Sequence, residues 1–140
     1  MLCVDVNVLV DAFRPAAPSH SRVLTWLDEA RYDVEPLIVL PEVAAGFICI
    51  VTNKRVWTDP SPVDSACDFV EALLSSPATE IQAGGSGRLA TFLRIARDLE
   101  LSGNDVQDAF LAASALELDA TFVTSDRGFS RFRALRLLHP

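Results

Sequence analysis

The chain has 140 residues, half of them hydrophobic and 22% charged. That balance excludes a disordered chain and predicts one domain spanning residues 1–140. Nineteen acids against twelve bases leave a net charge of −7, so the molecule as a whole repels nucleic acid and attracts metal cations or a basic partner.

Three cysteines, Cys3, Cys49 and Cys67, show no CxxC spacing. They exclude a zinc knuckle or disulfide framework and predict a reducing, cytoplasmic setting. The opening MLCVDVNVLV lacks the basic start of a signal peptide, and no apolar run approaches the ~18–20 residues of a membrane span. Lys54 is the only lysine, so eleven of the twelve bases are arginine, the better fork for phosphate or carboxylate. Arg127, Arg131, Arg133 and Arg136 fall within ten residues, which reads as a solvated face or a phosphate-binding edge.

In chain order, residues 1–6 read as a short buried strand, and Asn7 as the cap of a helix that Arg14-Pro15 breaks at residue 13. Ser19 or Ser21 starts a second helix, with Val23, Leu24, Leu27 and Ala30 on one face. Residues 36–40 (PLIVL) are a buried strand. Pro41 suits the first turn of a helix running from Glu42 to about Thr52. After a connector at 53–60, Ser61-Pro62 opens a helix with Val63, Ala66, Val70, Leu73 and Leu74 inward. Residues 79–82 form a weaker strand. The Gly84-Gly85-Ser86-Gly87 run reads as a linker into a helix with Leu89, Phe92, Leu93 and Ala96 inward. Asn104 with Gln107 makes a capping-box-like start for a helix to Leu118. Residues 121–124 (TFVT) and 135–138 are the last strands. Strands alternating with helices predict an α/β fold, a parallel sheet with helices on both faces.

Such sheets bind ligands beyond the carboxyl ends of their strands. Asp5 ends the first strand there. Glu42 follows the second, Asp126 follows TFVT, and Asp108 lies in the first turn of the helix leading into TFVT. Any one of Glu42, Asp105 and Asp108 is explained by the helix dipole, and Asp126 by a turn. Asp5 is not, because a carboxylate in an apolar strand costs several kcal/mol unless paired or bound to a cation. Gathered together, the four acids repel, and a divalent cation removes the repulsion. An all-oxygen set suits Mg²⁺ or Mn²⁺, and the matching reaction is phosphodiester hydrolysis. His20 and His139 are the only histidines, and neither is placed for a catalytic triad. No phosphate-binding GxxxxGK[ST] loop occurs. A metal phosphatase wants a second acid two residues after the first, where this chain has Asn7. A binding module without catalysis is disfavoured by the presence of all four acids.

At these residues the chain resembles the PIN domain, and specifically the VapC-type toxins of bacterial toxin–antitoxin pairs. VDVNVLVDAF, LPEVAAGFICIVTNKRVW, GNDVQDAFLAASALE and TFVTSDRGFSRF carry the likeness, which is weakest over residues 58–97. It implies a three-layer α/β/α sandwich on a mostly parallel sheet and an endoribonuclease dependent on Mg²⁺ or Mn²⁺. It further implies 5′-phosphate and 3′-hydroxyl products, and a homodimer inhibited by a small VapB-like antitoxin. Carried over by position, Asp5, Glu42, Asp108 and Asp126 are the metal-binding and catalytic acids. Asn7, Thr124 and Ser125 orient them, with Asp105 beside them. Arg127, Arg131 and Arg133 are expected to contact RNA or the partner. The chain departs from the family pattern at Gly128, where many relatives carry another acid, and at Cys49, where many carry arginine; Cys49 is expected to be a buried filler. A PIN nuclease of RNA maturation, working without an antitoxin, fits the same residues.

Overall fold

The computed structural model describes residues 1–140. Five strands form one sheet: β1 (Leu2–Val4), β2 (Leu37–Val39), β3 (Thr79–Ile81), β4 (Thr121–Val123) and β5 (Leu137–Leu138), in the order β3-β2-β1-β4-β5. Every neighbouring pair is parallel, so every link between strands is a crossover. Helices α1 (Val6–Phe13) and α2 (His20–Ala30) link β1 to β2; α3 (Pro41–Val51) and α4 (Val63–Leu74) link β2 to β3. Helices α5 (Arg88–Asp98) and α6 (Asn104–Glu117) carry the chain back across the sheet to β4, and a short 3-10 helix, Arg127–Arg131, precedes β5.

The first two crossovers step one way along the sheet and the third steps back. With right-handed connections, that reversal places α1–α4 on one face and α5–α6 on the other, the three-layer sandwich expected above. The helices pack accordingly: α1 on α2 and α3, α3 on α4, and α5 on α6.

The central strands are buried throughout, with Cys3, Val4, Leu37, Ile38, Val39, Phe122 and Val123 at 0% exposure. This is why they read as continuous apolar runs without alternation. Beneath α1–α4, Phe13, Phe47 and Phe69 meet with ring centroids 5.2–5.3 Å apart. On the opposite face, α6 buries Ala109, Ala112, Ala113 and Ala115 completely, and these short side chains let it lie close against the sheet. The face expected for α5 is corrected: Leu89 and Leu93 are exposed and Ile95 is its only fully buried residue, because α5 packs on α6 rather than on the sheet. Val63 on α4 is exposed too.

The helix starts also differ from expectation. Asp5, not Asn7, caps α1, its carboxylate accepting from the Val6 N–H. Gly103, at φ 56°, caps α6 without a side-chain bond, so Asn104 and Gln107 form no capping box. Ser19 precedes α2 without a side-chain cap. Pro41 stands in the first turn of α3, where its missing N–H costs nothing. No helix is long and apolar enough to cross a membrane.

Candidate active site

The order β3-β2-β1-β4-β5 reverses direction at β1 and β4. At such a switch point the outgoing chains diverge and leave a crevice beyond the strand ends. Asp5 leaves β1 at that point and Thr124-Ser125-Asp126 leave β4, while the Asp5 N–H bonds the Val123 carbonyl at 2.9 Å to hold the two strand ends together.

Asp5 is 5% exposed. Its Oδ1 accepts from the Val6 N–H at 2.7 Å, and its Oδ2 from Asn7 Nδ2 at 2.7 Å and Thr124 Oγ1 at 2.6 Å. Asn7 Nδ2 also donates to Thr124 Oγ1 at 3.0 Å, and Asn7 Oδ1 accepts from the Ser125 N–H at 3.0 Å. Thr124 Oγ1 accepts from the Asp126 N–H at 3.0 Å. Asn7 and Thr124 thus tie the Asp5 carboxylate to the backbone at the end of β4. Asp126 itself is exposed and caps the 3-10 helix through the Gly128 N–H at 2.7 Å.

Burial pushes the Asp5 carboxyl up to about 6; the Thr124 and Val6 hydrogen bonds oppose that, and the charges of Asp108 and Asp126 add to it. Asp108 is raised as well, first by burial, against the lowering influence of Arg131, with Asp126 and Asp105 adding to the rise. The carboxylates of Asp5, Asp108 and Asp126 therefore feel one another as like charges. Burial also raises the Cys3 thiol to about 12, with Asp5 and Glu42 contributing, so this cysteine is no nucleophile.

A cleft of about 740 Å³ opens in front of Asp5, lined also by Glu42, Asp108, Asn104, Phe110 and Cys49. Cys49 is exposed, correcting the expectation of a buried filler: α3 turns this side toward the cleft. Asp108 sits in the second turn of α6, the acid of the first turn being Asp105.

Two arginines reach the acids. Arg88 NH1 pairs with Glu42 Oε1 at 2.6 Å, its guanidinium 4.5 Å from the Phe110 ring centroid. Arg131 spans Asp105 at 2.9 Å and Asp108 at 2.5 Å. Of the arginines expected to face a partner, Arg131 is thus engaged by the acids, whereas Arg127 and Arg133 are exposed. Arg88 is missing from the sequence reading. Its signal is the Gly84–Gly87 run read as a linker: a Cβ at Gly85 would lie 2.7 Å from Glu117 Cβ, and one at Gly87 2.4 Å from Glu117 Oε2. The glycines let this turn lie against the end of α6, which aims the first residue of α5 at Glu42.

The donor set fits a hard divalent cation, being oxygen-only and already burdened by mutual repulsion. With Arg88 and Arg131 neutralising Glu42 and Asp108, no three acids converge on one metal position.

A model of the PIN domain matches residues 2–135. The chain belongs to the PIN domain family. Ribonuclease VapC43 of Mycobacterium tuberculosis is 46% identical to it over 140 residues, covering 100% of this chain and 95% of the relative. Ribonuclease VapC25 of the same organism is 34% identical over 140 residues, covering 100% and 99%. The chain is thus a member of the VapC ribonuclease branch of PIN domains. Among solved structures, VapBC2 from Rickettsia felis bound to a DNA fragment from its promoter superimposes with a TM-score of 0.70 at 20% identity, covering 99% and 97% of the chains. VapBC-1 from nontypeable Haemophilus influenzae does so with a TM-score of 0.68 at 16% identity, covering 99% and 96%. These two likenesses carry the PIN fold.

Proposed function

We propose that the chain is an endoribonuclease, the toxin of a toxin–antitoxin pair, and that Asp5, Glu42, Asp108 and Asp126 would close on a divalent cation, Mg²⁺ or Mn²⁺, on which cleavage depends, once Arg88 and Arg131 release Glu42 and Asp108. The carrying observation is that Asp5, Glu42 and Asp108 line one cleft at the switch point of the sheet. The cation supplies Lewis-acid stabilisation of the negative charge that develops on the phosphodiester. The chain's own residues do the rest. Asn7 and Thr124 fix Asp5 Oδ2, and Ser125 locks the Asn7 amide, so the carboxylate needs no reorganisation when its ligand arrives. Arg127, Arg131 and Arg133 take the substrate phosphates, since a chain of net charge −7 holds RNA only by local contacts.

The antitoxin proposal rests on the same charge. An acidic cleft that already accepts guanidinium groups from Arg88 and Arg131 is matched to a basic side chain from a small partner. The VapC ribonuclease relatives support the ribonuclease activity, and the solved VapBC complexes support the partner. The active form is proposed to be a cytoplasmic homodimer.

Sequencing the ends of total RNA cut by purified protein tests the reaction. The expected products carry 5′-phosphate and 3′-hydroxyl ends, appear with Mn²⁺ and vanish with EDTA. Undiminished cleavage in EDTA overturns the metal mechanism. Co-expression with the adjoining upstream reading frame tests the partner: co-purification with loss of ribonuclease activity is expected. Absence of association, together with no effect of this chain on growth, overturns the toxin assignment.

A further inference from the structure

A second groove, of about 680 Å³, runs between the carboxyl half of α5 and the segment after the 3-10 helix. Its rim carries Arg94, Arg131 and Arg133, and its floor includes Ile95, Leu99 and Phe132. Three arginines in one groove run against the net charge of −7. Arg133 makes no ion pair, and Arg94 meets only Asp98 at 3.9 Å, both side chains 64% exposed. Such a loose exposed pair contributes little and leaves the guanidinium available.

Arg131 belongs to both places. Its terminal nitrogens hold Asp105 and Asp108 at the edge of the acidic cleft, and the same side chain lines the groove. Its Nε is buried without a partner, which lowers the cost of the guanidinium turning to another acceptor. Arg131 therefore links the groove to the acids, since its partner Asp108 lines the acidic cleft. The groove floor is apolar, with Leu99 43% exposed, and can cover the apolar face of any base.

We propose that this groove is the single-stranded RNA subsite beside the scissile phosphate, with Arg94, Arg131 and Arg133 on successive phosphates and a base over Ile95 and Leu99. The proposal rests on the endoribonuclease reading above and extends it to a surface outside the acidic cleft. The charge of the groove, opposite to that of the chain as a whole, suits a polyanion, and its place beside the acids that would cut RNA makes single-stranded RNA the occupant.

The test is binding of a short fluorescent single-stranded RNA, followed by anisotropy in EDTA from low to moderate salt. No cleavage is needed, so the result is independent of whether the acids catalyse. Wild type is compared with the double variant Arg94→Gln/Arg133→Gln and with Arg22→Gln/Arg55→Gln, exposed arginines elsewhere. Each lost phosphate contact flattens the slope of log affinity against log salt by about 0.7 for single strands. The groove variant is expected to bind more weakly and to lose about 1.4 from that slope, while the control variant matches wild type. Thermal melts of both variants establish that they are folded. Equal slopes for the groove variant and wild type, an equal loss in the control variant, or no RNA binding by wild type overturns the proposal. So does intact RNA binding with a changed oligomeric state by light scattering, which assigns the groove to a protein contact. Failure of wild type to cleave RNA in Mn²⁺ refutes the endoribonuclease reading and leaves the groove result standing.

Discussion

Replacing Asp5 by asparagine should abolish cleavage and make the metal-free protein more stable at neutral pH. The carboxyl is buried and moves from its ordinary 3.8 to about 6. At about 1.36 kcal/mol per tenfold, an ionised Asp5 therefore costs the fold about 3 kcal/mol at pH 8. Asparagine removes that charge and remains a good helix cap, so its carbonyl can keep the Val6 N–H. Its amide nitrogen then stands where Oδ2 accepted from Asn7 Nδ2 and Thr124 Oγ1, and losing those two bonds costs about 1–2 kcal/mol. The net gain is about 1–2 kcal/mol, or about 3–8 °C in Tm for a chain of this length. The sign with pH follows from linkage. The folded-state value lies above the unfolded one, so the native protein takes up the Asp5 proton first as pH falls. Stability from this group is fully present below about pH 4 and is lost as pH rises through about 6. Urea denaturation of both proteins in EDTA, from pH 4 to 8, should show Asp5→Asn ahead at pH 8 and the advantage gone by pH 4. A variant less stable than wild type at pH 8, or a difference that ignores pH, refutes the assignment of Asp5 as a charge the fold carries at its own expense.

Mg²⁺ or Mn²⁺ should raise the wild-type Tm, by about 1.4 kcal/mol of stability at ten times Kd, and should not raise that of Asp108→Asn; an equal rise in both refutes the shared site. Thr124→Val should cost about 1–3 kcal/mol, because it removes the hydroxyl that donates to Asp5 and accepts from Asn7 and the Asp126 N–H. Since the Thr124 hydrogen bond lowers the Asp5 pKa, the loss in urea denaturation should be larger at pH 8 than at pH 5; a pH-independent loss would count against the network. Gly85→Ala should cost about 1–3 kcal/mol: the new Cβ would stand 2.7 Å from Glu117 Cβ and 3.3 Å from the Glu117 carbonyl oxygen, and backbone gives little. An unchanged Tm would show that the turn is free to move off α6.

The layered α/β architecture was readable because buried parallel strands must be continuous apolar runs, and PLIVL and TFVT stand out between helical periods. The positions of Asp5 and Asp126 just beyond β1 and β4 were readable for a related reason: strand ends are where a parallel sheet places its ligands, and Asp5 interrupts an apolar run. Helix caps were less so. Asp5 and Asn7 are both good capping residues two positions apart, and the choice between them depends on Thr124, which reaches Asp5 from 119 positions away. The faces of α5 were misread because periodicity names an apolar side without saying what covers it; its partner is α6, and Leu89 and Leu93 are left exposed.

Sequence alone determined the fold class and the placing of Asp5 and Asp126 at the ends of β1 and β4, since both follow from residue type and order. The tertiary structure decided which charges are neutralised. Arg88 and Arg131 meet Glu42 and Asp108 across 46 and 23 positions, and nothing local to any of the four marks the pairing. Ion pairs of this kind are set by where crossovers deliver side chains in space, and that is a property of the assembled sheet and helices.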